Sequence, residues 1–259
     1  MKIAVFDSGI GGLSVLYEAR RALPQEQFIF FADEDHVPYG TQTPEAVQQH
    51  VAEAFDFLVQ QDVKAIVVAC NTATSVAVPA MRERYDLPII GMEPAAKLAL
   101  DEDGTHRVLV VATPITVHGK KMQLLIDKVD KDHLVDRLAL PKLVEFAERQ
   151  EFDSPAVRDY LAGELAPYDL TQYSALVLGC THFNYFKPAF RHLLPETMHF
   201  VDGNAGTVRE LRRQLAVRGQ LEQLVPDVAY YYSGRRVSDA TGLARIEHYL
   251  RQLAQVYSL

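Results

Sequence analysis

Cysteine is scarce in this sequence: only two of its 259 residues are cysteines, Cys70 and Cys180. Neither belongs to a cluster of Cys and His residues with the spacing of zinc ligands, which argues against a zinc site. A lone disulfide is not expected in a reducing compartment. Three possibilities remain: two buried structural thiols, one reactive thiol with a bystander, or two reactive thiols.

Positive charge and long apolar runs are also missing. The net charge is −8 and no basic run is long enough to offset it, which argues against a nucleic-acid surface. No apolar stretch approaches the length of a membrane-spanning helix, and the apolar run at residues 3–6 is too short for a signal peptide. We therefore expect a cytoplasmic protein without a membrane or nucleic-acid partner.

Two stretches of the chain read almost alike, at residues 66–73 and 176–183. Each is a run of β-branched residues and leucine that ends in a small residue, a cysteine and side chains able to hydrogen-bond. Such a run suits a strand that is buried on both faces of a parallel sheet. The polar cluster then falls at the carboxyl end of the strand, where open α/β sheets bind ligands.

The rest of the chain alternates strand-like and helix-like segments. Hydrophobic residues make up 48% of it and charged residues 23%, which is ordinary globular composition and allows a full core. The pattern predicts strands at residues 2–6, 28–31, 64–69, 88–90, 107–112, 176–179 and 198–201. It predicts helices that begin after residues 12, 43 and 154, and helices at 74–84, 95–100, 188–193, 203–217 and from about 238, with an exposed joint at 101–104. The stretch over 117–137 begins as a helix, and the pattern does not place the strand expected there.

Alternation of this kind indicates an α/β fold with parallel sheets covered by helices. We expect two similar α/β domains related by a pseudo-twofold axis, with the active site in the cleft between them. The first would comprise residues 1–94 and 206–259, and the second residues 95–205. The glycine-rich segment at 9–12 lacks the endings of a Walker loop and of a dinucleotide fingerprint, and favours a tight turn between strand and helix.

If the two halves face each other, Cys70 and Cys180 reach one ligand from opposite sides. Removing a proton from one face of a carbon and returning one to the other is racemisation or epimerisation, and it requires two acid–base groups. Asp7 and His182 are candidates to hold or relay the proton of each thiol. From local sequence alone, Asp7 is as readily an N-cap and His182 a loop imidazole bonded to backbone.

Polar residues beside the two cysteines can hold a carboxylate without an arginine, through hydroxyls, an amide and the N–H groups of helix starts. Taken singly, each is also a common turn former or helix cap. The candidates are Ser8, Asn71, Thr72, Thr113, Thr116 and Thr181.

Four motifs, at residues 6–12, 37–40, 69–73 and 179–183, together resemble those of the glutamate racemases in the cofactor-independent aspartate/glutamate racemase superfamily. Their order and spacing agree over nearly the whole chain. The resemblance implies two α/β domains, interconversion of L- and D-glutamate, and supply of D-glutamate for peptidoglycan. It implies no pyridoxal phosphate, metal or nucleotide, and homodimers are common in the family.

By the same resemblance, Cys70 and Cys180 are the catalytic thiols, assisted by Asp7 and His182. The implied substrate contacts are Asp7, Ser8, Pro38, Tyr39, Gly40, Asn71, Thr72, Thr113, Thr116, Thr181 and His182.

The sequence departs from the family pattern after Asp33, where the family often has a small residue or Thr and this chain has Glu34 and Asp35. It departs again at Asn184, where the family usually has Pro. We expect the two acidic side chains to point to solvent. Because of these departures, an aspartate or broader-specificity racemase is an alternative. Others are a thiol hydrolase or lyase using Cys180 and His182, and an amino-acid-binding protein without catalysis.

Overall fold

The computed structural model describes residues 1–92, 95–96, 99–100 and 106–258 of the chain. Within these ranges the strands form a six-stranded and a four-stranded sheet. The six-stranded sheet has the order β10-β9-β2-β1-β3-β4, and its strands pair in parallel except for the antiparallel pair β9 and β10. Its strands are β1 Lys2–Asp7, β2 Gln27–Ala32, β3 Val63–Val68, β4 Ile89–Gly91, β9 Asp227–Tyr232 and β10 Arg235–Arg236.

The four-stranded sheet is parallel throughout and has the order β6-β5-β7-β8. Its strands are β5 Arg107–Ala112, β6 Val135–Ala139, β7 Tyr173–Leu178 and β8 His199–Asp202. Like the strands β2-β1-β3-β4 of the other sheet, they run in the order second, first, third, fourth along the chain. Cys70 follows the third strand of one sheet and Cys180 the third strand of the other, so the two thiols hold equivalent places.

Helices cover the sheets, and several begin at side chains that suit a helix start. Thr43, Ser154 and Asp239 each accept a hydrogen bond from a backbone N–H of the first turn that follows. The helices are α1 Leu13–Ala22, α2 Pro44–Val59, α3 Asn71–Val76, α4 Val78–Arg84, α5 Pro114–His118, α6 Lys120–Val129, α7 Lys142–Glu148, α8 Pro155–Leu165, α9 Lys187–Arg191, α10 Asn204–Val217 and α11 Ala240–Val256. Short 3₁₀ turns lie at Ile10–Gly12, Tyr39–Thr41, Leu170–Gln172 and Thr181–Phe186.

One buried hydrophobic cluster joins the two sheets. Ile3 and Val5 of β1 belong to it, together with Leu109 and Val111 of β5, and all four are fully buried. A second cluster fills the outer face of the six-stranded sheet and a third that of the four-stranded sheet. Burial of this shared apolar surface is the main force that brings the two sheets together.

The predicted α/β class with parallel sheets is confirmed, while the pseudo-twofold axis and the domain limits stay predictions. The sequence pattern did not place three of the strands. β6 is only partly buried along its length, and β9 with β10 runs along the edge of a sheet, so none has the apolar run of a central strand.

The single helix predicted over 74–84 is wrong. The chain forms α3 and α4 instead, because proline in the first turn of α4 lacks an N–H and favours a new helix start there. The predicted helix over 95–100 and the joint at 101–104 fall wholly or partly outside the described residues. No helix in the described part of the chain is long and apolar enough to cross a membrane.

Candidate active site

The first thiol lies where β3 passes into α3. Cys70 is the N-cap of α3, and its Sγ accepts a hydrogen bond from the backbone N of Ala73 at 3.4 Å. The thiol in turn donates to Oγ of Ser8 at 3.6 Å. Burial, and then the negative charge of nearby Asp7, raise the pKa of Cys70 to about 12. Cys70 is therefore a protonated thiol at neutral pH.

Asp7 ends β1 and is fully buried. Its Oδ2 accepts hydrogen bonds from the backbone N of Gly12 at 2.8 Å and from Oγ1 of Thr181 at 3.3 Å. Burial raises the pKa of Asp7 to about 6, against the opposing effects of His182 and the Gly12 N–H. Asp7 is thus both a cap for the turn after β1 and a carboxylate able to exchange a proton near neutral pH.

The second thiol has a histidine partner. Cys180 follows β7, and its Sγ lies 3.8 Å from Nδ1 of His182. The other ring nitrogen, Nε2, lies 2.7 Å from Oε1 of Glu148. Burial alone would lower the pKa of His182, but its hydrogen bonds to Cys180 and Glu148 outweigh burial and raise that pKa well above its usual value. His182 can therefore give a proton to the sulfur or take one from it.

Glu148 contacts His182 in this site, and the sequence patterns did not single it out. It is the last residue of α7, and its Oε1 also accepts a hydrogen bond from the backbone N of Ile10 at 3.0 Å. A carboxylate at a helix C-terminus faces the negative end of the helix dipole, which is unfavourable. That misplaced charge was a usable signal, although it does not name a partner for Glu148.

Both thiols line the same small cavity. Among the described residues that line it, none is a lysine or an arginine. The predicted site residues Asp7 and Thr116 do not line it, and Val144 of α7 lines it without having been predicted. The predicted residues that do line it are Ser8, Pro38, Tyr39, Gly40, Cys70, Asn71, Thr72, Thr113, Cys180, Thr181 and His182.

Three threonines meet at one side of this cavity. Oγ1 of Thr72 lies 2.9 Å from that of Thr113, and Thr113 donates to Thr116 at 3.1 Å. Thr116 lies behind the other two and supports them. The Tyr39 hydroxyl donates its proton to Asp33 at 2.5 Å, so it cannot also donate to a ligand.

Comparison with known proteins identifies the family to which this chain belongs. A profile of the Asp/Glu/hydantoin racemases matches residues 13–211. The chain belongs to the Asp/Glu/hydantoin racemase family. It is 47% identical to a glutamate racemase of Campylobacter curvus over 265 residues, covering 100% of both chains.

Solved structures agree with this family assignment. A glutamate racemase from Bacillus anthracis is 30% identical, with a TM-score of 0.84 and coverage of 96% of this chain and 94% of that one. A glutamate racemase from Francisella tularensis, in complex with D-glutamate, is 26% identical, with a TM-score of 0.82 and coverage of 97% and 93%. The resemblance drawn from the four motifs is confirmed.

In this racemase-family chain the two acidic residues after β2, Glu34 and Asp35, lie in different surroundings. Asp35 is exposed and bound to Arg235, as expected for a residue that points to solvent. The same expectation is wrong for Glu34, whose side chain is only 17% exposed and pairs with Arg245 at 2.8 Å. Asn184 is buried, and its Nδ2 donates to the carbonyl of Thr181 at 3.4 Å. Glu34 is turned inward because a cation from α11 reaches it.

Among the described residues, Asp33, His36 and His50 form the one group whose side-chain atoms lie close enough to hold a metal ion, within 4.8 Å. Asp33 already accepts hydrogen bonds from Tyr39, His36 and Ser233, which occupy its carboxylate oxygens. The group lies behind Tyr39, outside the cavity lining. Its observed bonds fit a hydrogen-bonded support for Tyr39.

A much larger surface cleft, of about 440 Å³, lies elsewhere, between α1 and the start of β9. Its lining includes neither cysteine and none of the predicted site residues. Size therefore does not decide which cavity is the active site; chemistry does.

Substitution of Gly11 by alanine should cost catalysis. A Cβ there would lie 2.5 Å from Oγ1 of Thr181 and 2.7 Å from the backbone N of His182, and closer still to the His182 ring. We expect kcat/KM for glutamate racemisation to fall about 100-fold, because small displacements of catalytic groups are costly. Steady-state kinetics of Gly11→Ala measure this.

The matched control is Gly163→Ala on α8, where a Cβ would meet nothing within 4 Å. It should keep wild-type activity and gain a little stability from the better helix propensity of alanine. Wild-type kinetics in Gly11→Ala would show that the close packing of residues 11 and 182 does not matter for turnover.

Proposed function

We propose that this chain interconverts L- and D-glutamate without a cofactor, by proton transfer between Cα of the substrate and two thiols. The observation that carries the proposal is that Cys70 and Cys180, one after each sheet's third strand, line one cavity. A ligand between them meets a sulfur on each face. Relatives named glutamate racemases, one of them solved with D-glutamate, support glutamate as the substrate.

In this mechanism one sulfur takes the Cα proton and the other returns a proton to the opposite face, so the pair exchanges roles when the reaction reverses. Cys70 is held protonated and is set to donate. In the reverse direction Asp7 takes up the proton of Cys70, so that the sulfur can accept the Cα proton. On the other side, His182 and Glu148 relay the proton of Cys180.

Substrate binding is assigned to hydrogen-bond donors and not to fixed cations. Ser8, Asn71 and Thr181 lie beside the two thiols, and the hydroxyls of Thr72 and Thr113 lie side by side in the same lining. Hydroxyls and the N–H groups at the start of a helix can hold a carboxylate. The paired hydroxyls of Thr72 and Thr113 would take the side-chain carboxylate of glutamate.

The test is proton exchange at Cα in heavy water. Incubation of wild-type protein with L-glutamate or D-glutamate in D₂O should yield both enantiomers, each deuterated at Cα, as read by chiral chromatography with mass spectrometry. Aspartate and glutamine serve as parallel substrates. Binding of glutamate with neither inversion nor deuterium uptake would contradict the proposal and favour an amino-acid-binding protein.

Faster exchange of aspartate than of glutamate would favour the alternative, an aspartate or broader-specificity racemase. A covalent acyl-enzyme on Cys180, seen by intact mass, would favour the hydrolase alternative. That alternative draws on the Cys180, His182 and Glu148 alignment, but it gives Cys70 no role in the cavity it shares.

The cellular role and assembly follow as further parts of the proposal. We propose cytoplasmic supply of D-glutamate for peptidoglycan, by two domains at residues 1–94 with 206–259 and at 95–205, in a homodimer. Packing of α10 against α1 and pairing of β9 with β2 support the return of the C-terminal segment to the first domain. Light scattering after gel filtration reports the mass of the assembly.

A further inference from the structure

A chain of charged groups leads from the second thiol to the protein surface. Glu148 binds His182 through Oε1, and its other oxygen, Oε2, accepts a hydrogen bond from Nη2 of Arg245 at 3.2 Å. Arg245 lies on α11, and its Nη1 donates to Oε2 of Glu34 at 2.8 Å. One guanidinium therefore joins two carboxylates, one of which holds the histidine beside Cys180.

Arg245 is enclosed enough for its charge to matter. Its side chain is 26% exposed, and those of Glu34 and Glu148 are 17% and 15% exposed. The guanidinium lies 5.5 Å from the ring centre of Tyr232 and 5.6 Å from that of Tyr249. Charges that are partly removed from water are screened less by solvent and salt, so this cation acts on its neighbours.

Glu34 depends on Arg245 for its position. Its Oε1 is buried and has no hydrogen-bond partner among the described residues. Burial, and then the nearby charge of Glu148, raise the pKa of Glu34, as expected for two carboxylates crowded on one cation. The arrangement divides the charge of Arg245 between Glu34 and Glu148.

A neighbouring ion pair shows what a purely structural role looks like. Arg235 and Asp35 form two hydrogen bonds, at 2.6 and 2.7 Å, between the same two parts of the chain. Both side chains are largely exposed. Neither contacts Glu148 or His182 in the described structure, so this pair fastens β10 to the loop after β2 without reaching the site.

We propose that Arg245 and Glu34 are positioning residues for the second thiol. Arg245 balances the charge of Glu148, and Glu34 sets how much of that charge Glu148 receives. The inference rests on the proposed racemase function and deepens it, because the pair acts on proton transfer at Cys180 through Glu148 and His182. It also gives a role to Glu34, one of the residues at which this sequence departs from the family pattern.

The sign of each effect follows from electrostatics. Loss of a cation stabilises the protonated form of every nearby group, so each pKa rises; loss of an anion lowers each pKa. Removing Arg245 and removing Glu34 should therefore shift the pH dependence of catalysis in opposite directions. The titratable and charged groups that face Glu148 and His182 from the surrounding elements are Asp7, Glu34, Cys180, Tyr185, Tyr232, Arg245 and Tyr249.

The experiment compares pH profiles of kcat/KM for glutamate racemisation, which report the pKa values of the free enzyme. In Arg245→Gln the profile should move to higher pH by about half a unit or more, and in Glu34→Gln to lower pH by a similar amount. The double variant restores the net charge and should return toward the wild-type profile. Arg245→Lys keeps the charge and should retain the wild-type profile even where the rate falls.

Asp35→Asn and Arg235→Gln are the matched controls, and both should keep the wild-type profile. Shifts of the same sign in Arg245→Gln and Glu34→Gln, or shifts as large in the two controls, would overturn the inference. Thermal unfolding shows whether each variant folds; if Arg245→Gln does not, Glu34→Gln and Arg245→Lys carry the test. A wild-type protein that fails to racemise glutamate contradicts the proposed function itself, which distinguishes the two failures.

Discussion

Replacement of either cysteine by alanine should lower kcat/KM for glutamate racemisation by about 10²–10⁴-fold, the usual contribution of a general acid–base group. In each variant the fold decrease in kcat/KM should be the same with L-glutamate and with D-glutamate as the substrate. Two enantiomers have equal free energies, so the ratio of the two kcat/KM values is fixed at one whatever the enzyme does. The rate alone therefore shows that a thiol matters but not which face it serves.

Isotope exchange shows which face of the substrate Cα each thiol serves. Each alanine variant keeps one thiol, which can still remove the Cα proton of one enantiomer and return a deuteron to the same face in D₂O. Cys70→Ala should therefore deuterate one enantiomer of glutamate without inverting it, and Cys180→Ala the other. Mass spectrometry of the recovered, unconverted enantiomers measures this complementary pattern.

Serine replacements of the same two residues test whether sulfur itself is needed. A hydroxyl is a much weaker acid than a thiol, so Cys70→Ser and Cys180→Ser should also fail to turn over fully. Normal racemisation by both single variants would remove the basis of the mechanism. Exchange of the same enantiomer in both alanine variants would show that the thiols do not face opposite sides of the substrate.

Replacement of Asp7 by asparagine should reduce activity and increase stability at the same time. The wild-type carboxylate has a pKa of about 6 and is ionised at neutral pH, where it can accept a proton near Cys70. Asparagine cannot, and kcat/KM should fall about 10²-fold or more. Its amide can keep both contacts, since an oxygen in the place of Oδ2 accepts from Gly12 and from Thr181.

The stability effect has a defined pH window. The pKa of Asp7 is raised from an ordinary value of 3.8 to about 6 in the folded protein, because burial disfavours the charge. Wild-type protein therefore gains stability from this group at low pH and loses it as the pH rises through about 6. Above that pH, Asp7→Asn should be more stable than wild type by on the order of 2 kcal/mol.

Chemical unfolding of both proteins at pH 7.5 and at pH 4.5 measures this difference, which should shrink at the lower pH. In wild type, kcat/KM should also fall as the pH drops below about 6, where Asp7 becomes protonated. A stability gain that is the same at both pH values would mean that Asp7 does not titrate in this window. Full activity in Asp7→Asn would exclude it from proton transfer.

Local patterns were enough to predict the central strands and the cysteines that follow them. Runs such as residues 64–69 and 107–112 are buried on both faces and carry a strong apolar signal. β6 and β9 carry a weaker one, because edge or half-exposed strands tolerate polar residues. Their places depend on pairing with strands that lie far away in sequence, which a local pattern does not contain.

The same limit applies to the site. Cys70, Cys180 and His182 stand in motifs beside strand ends and were found from sequence. Glu148 and Arg245 come from helices whose local sequence is ordinary, and their significance exists only once α7 and α11 pack around residues 180–182. Glu34 was expected in solvent because its partner lies 211 positions further along the chain.

The turn at residues 10–12 touches the proton partners of both sulfurs. The Ile10 N–H holds Glu148, and the Gly12 N–H holds Asp7. A rigid-body displacement of one sheet from the other would separate Ile10 from Glu148 and Thr181 from Asp7, and so disturb both partners in the same movement. Opening the cleft to exchange substrate for product would switch off both halves of the chemistry together, so the enzyme would be reactive only when it is shut around its ligand.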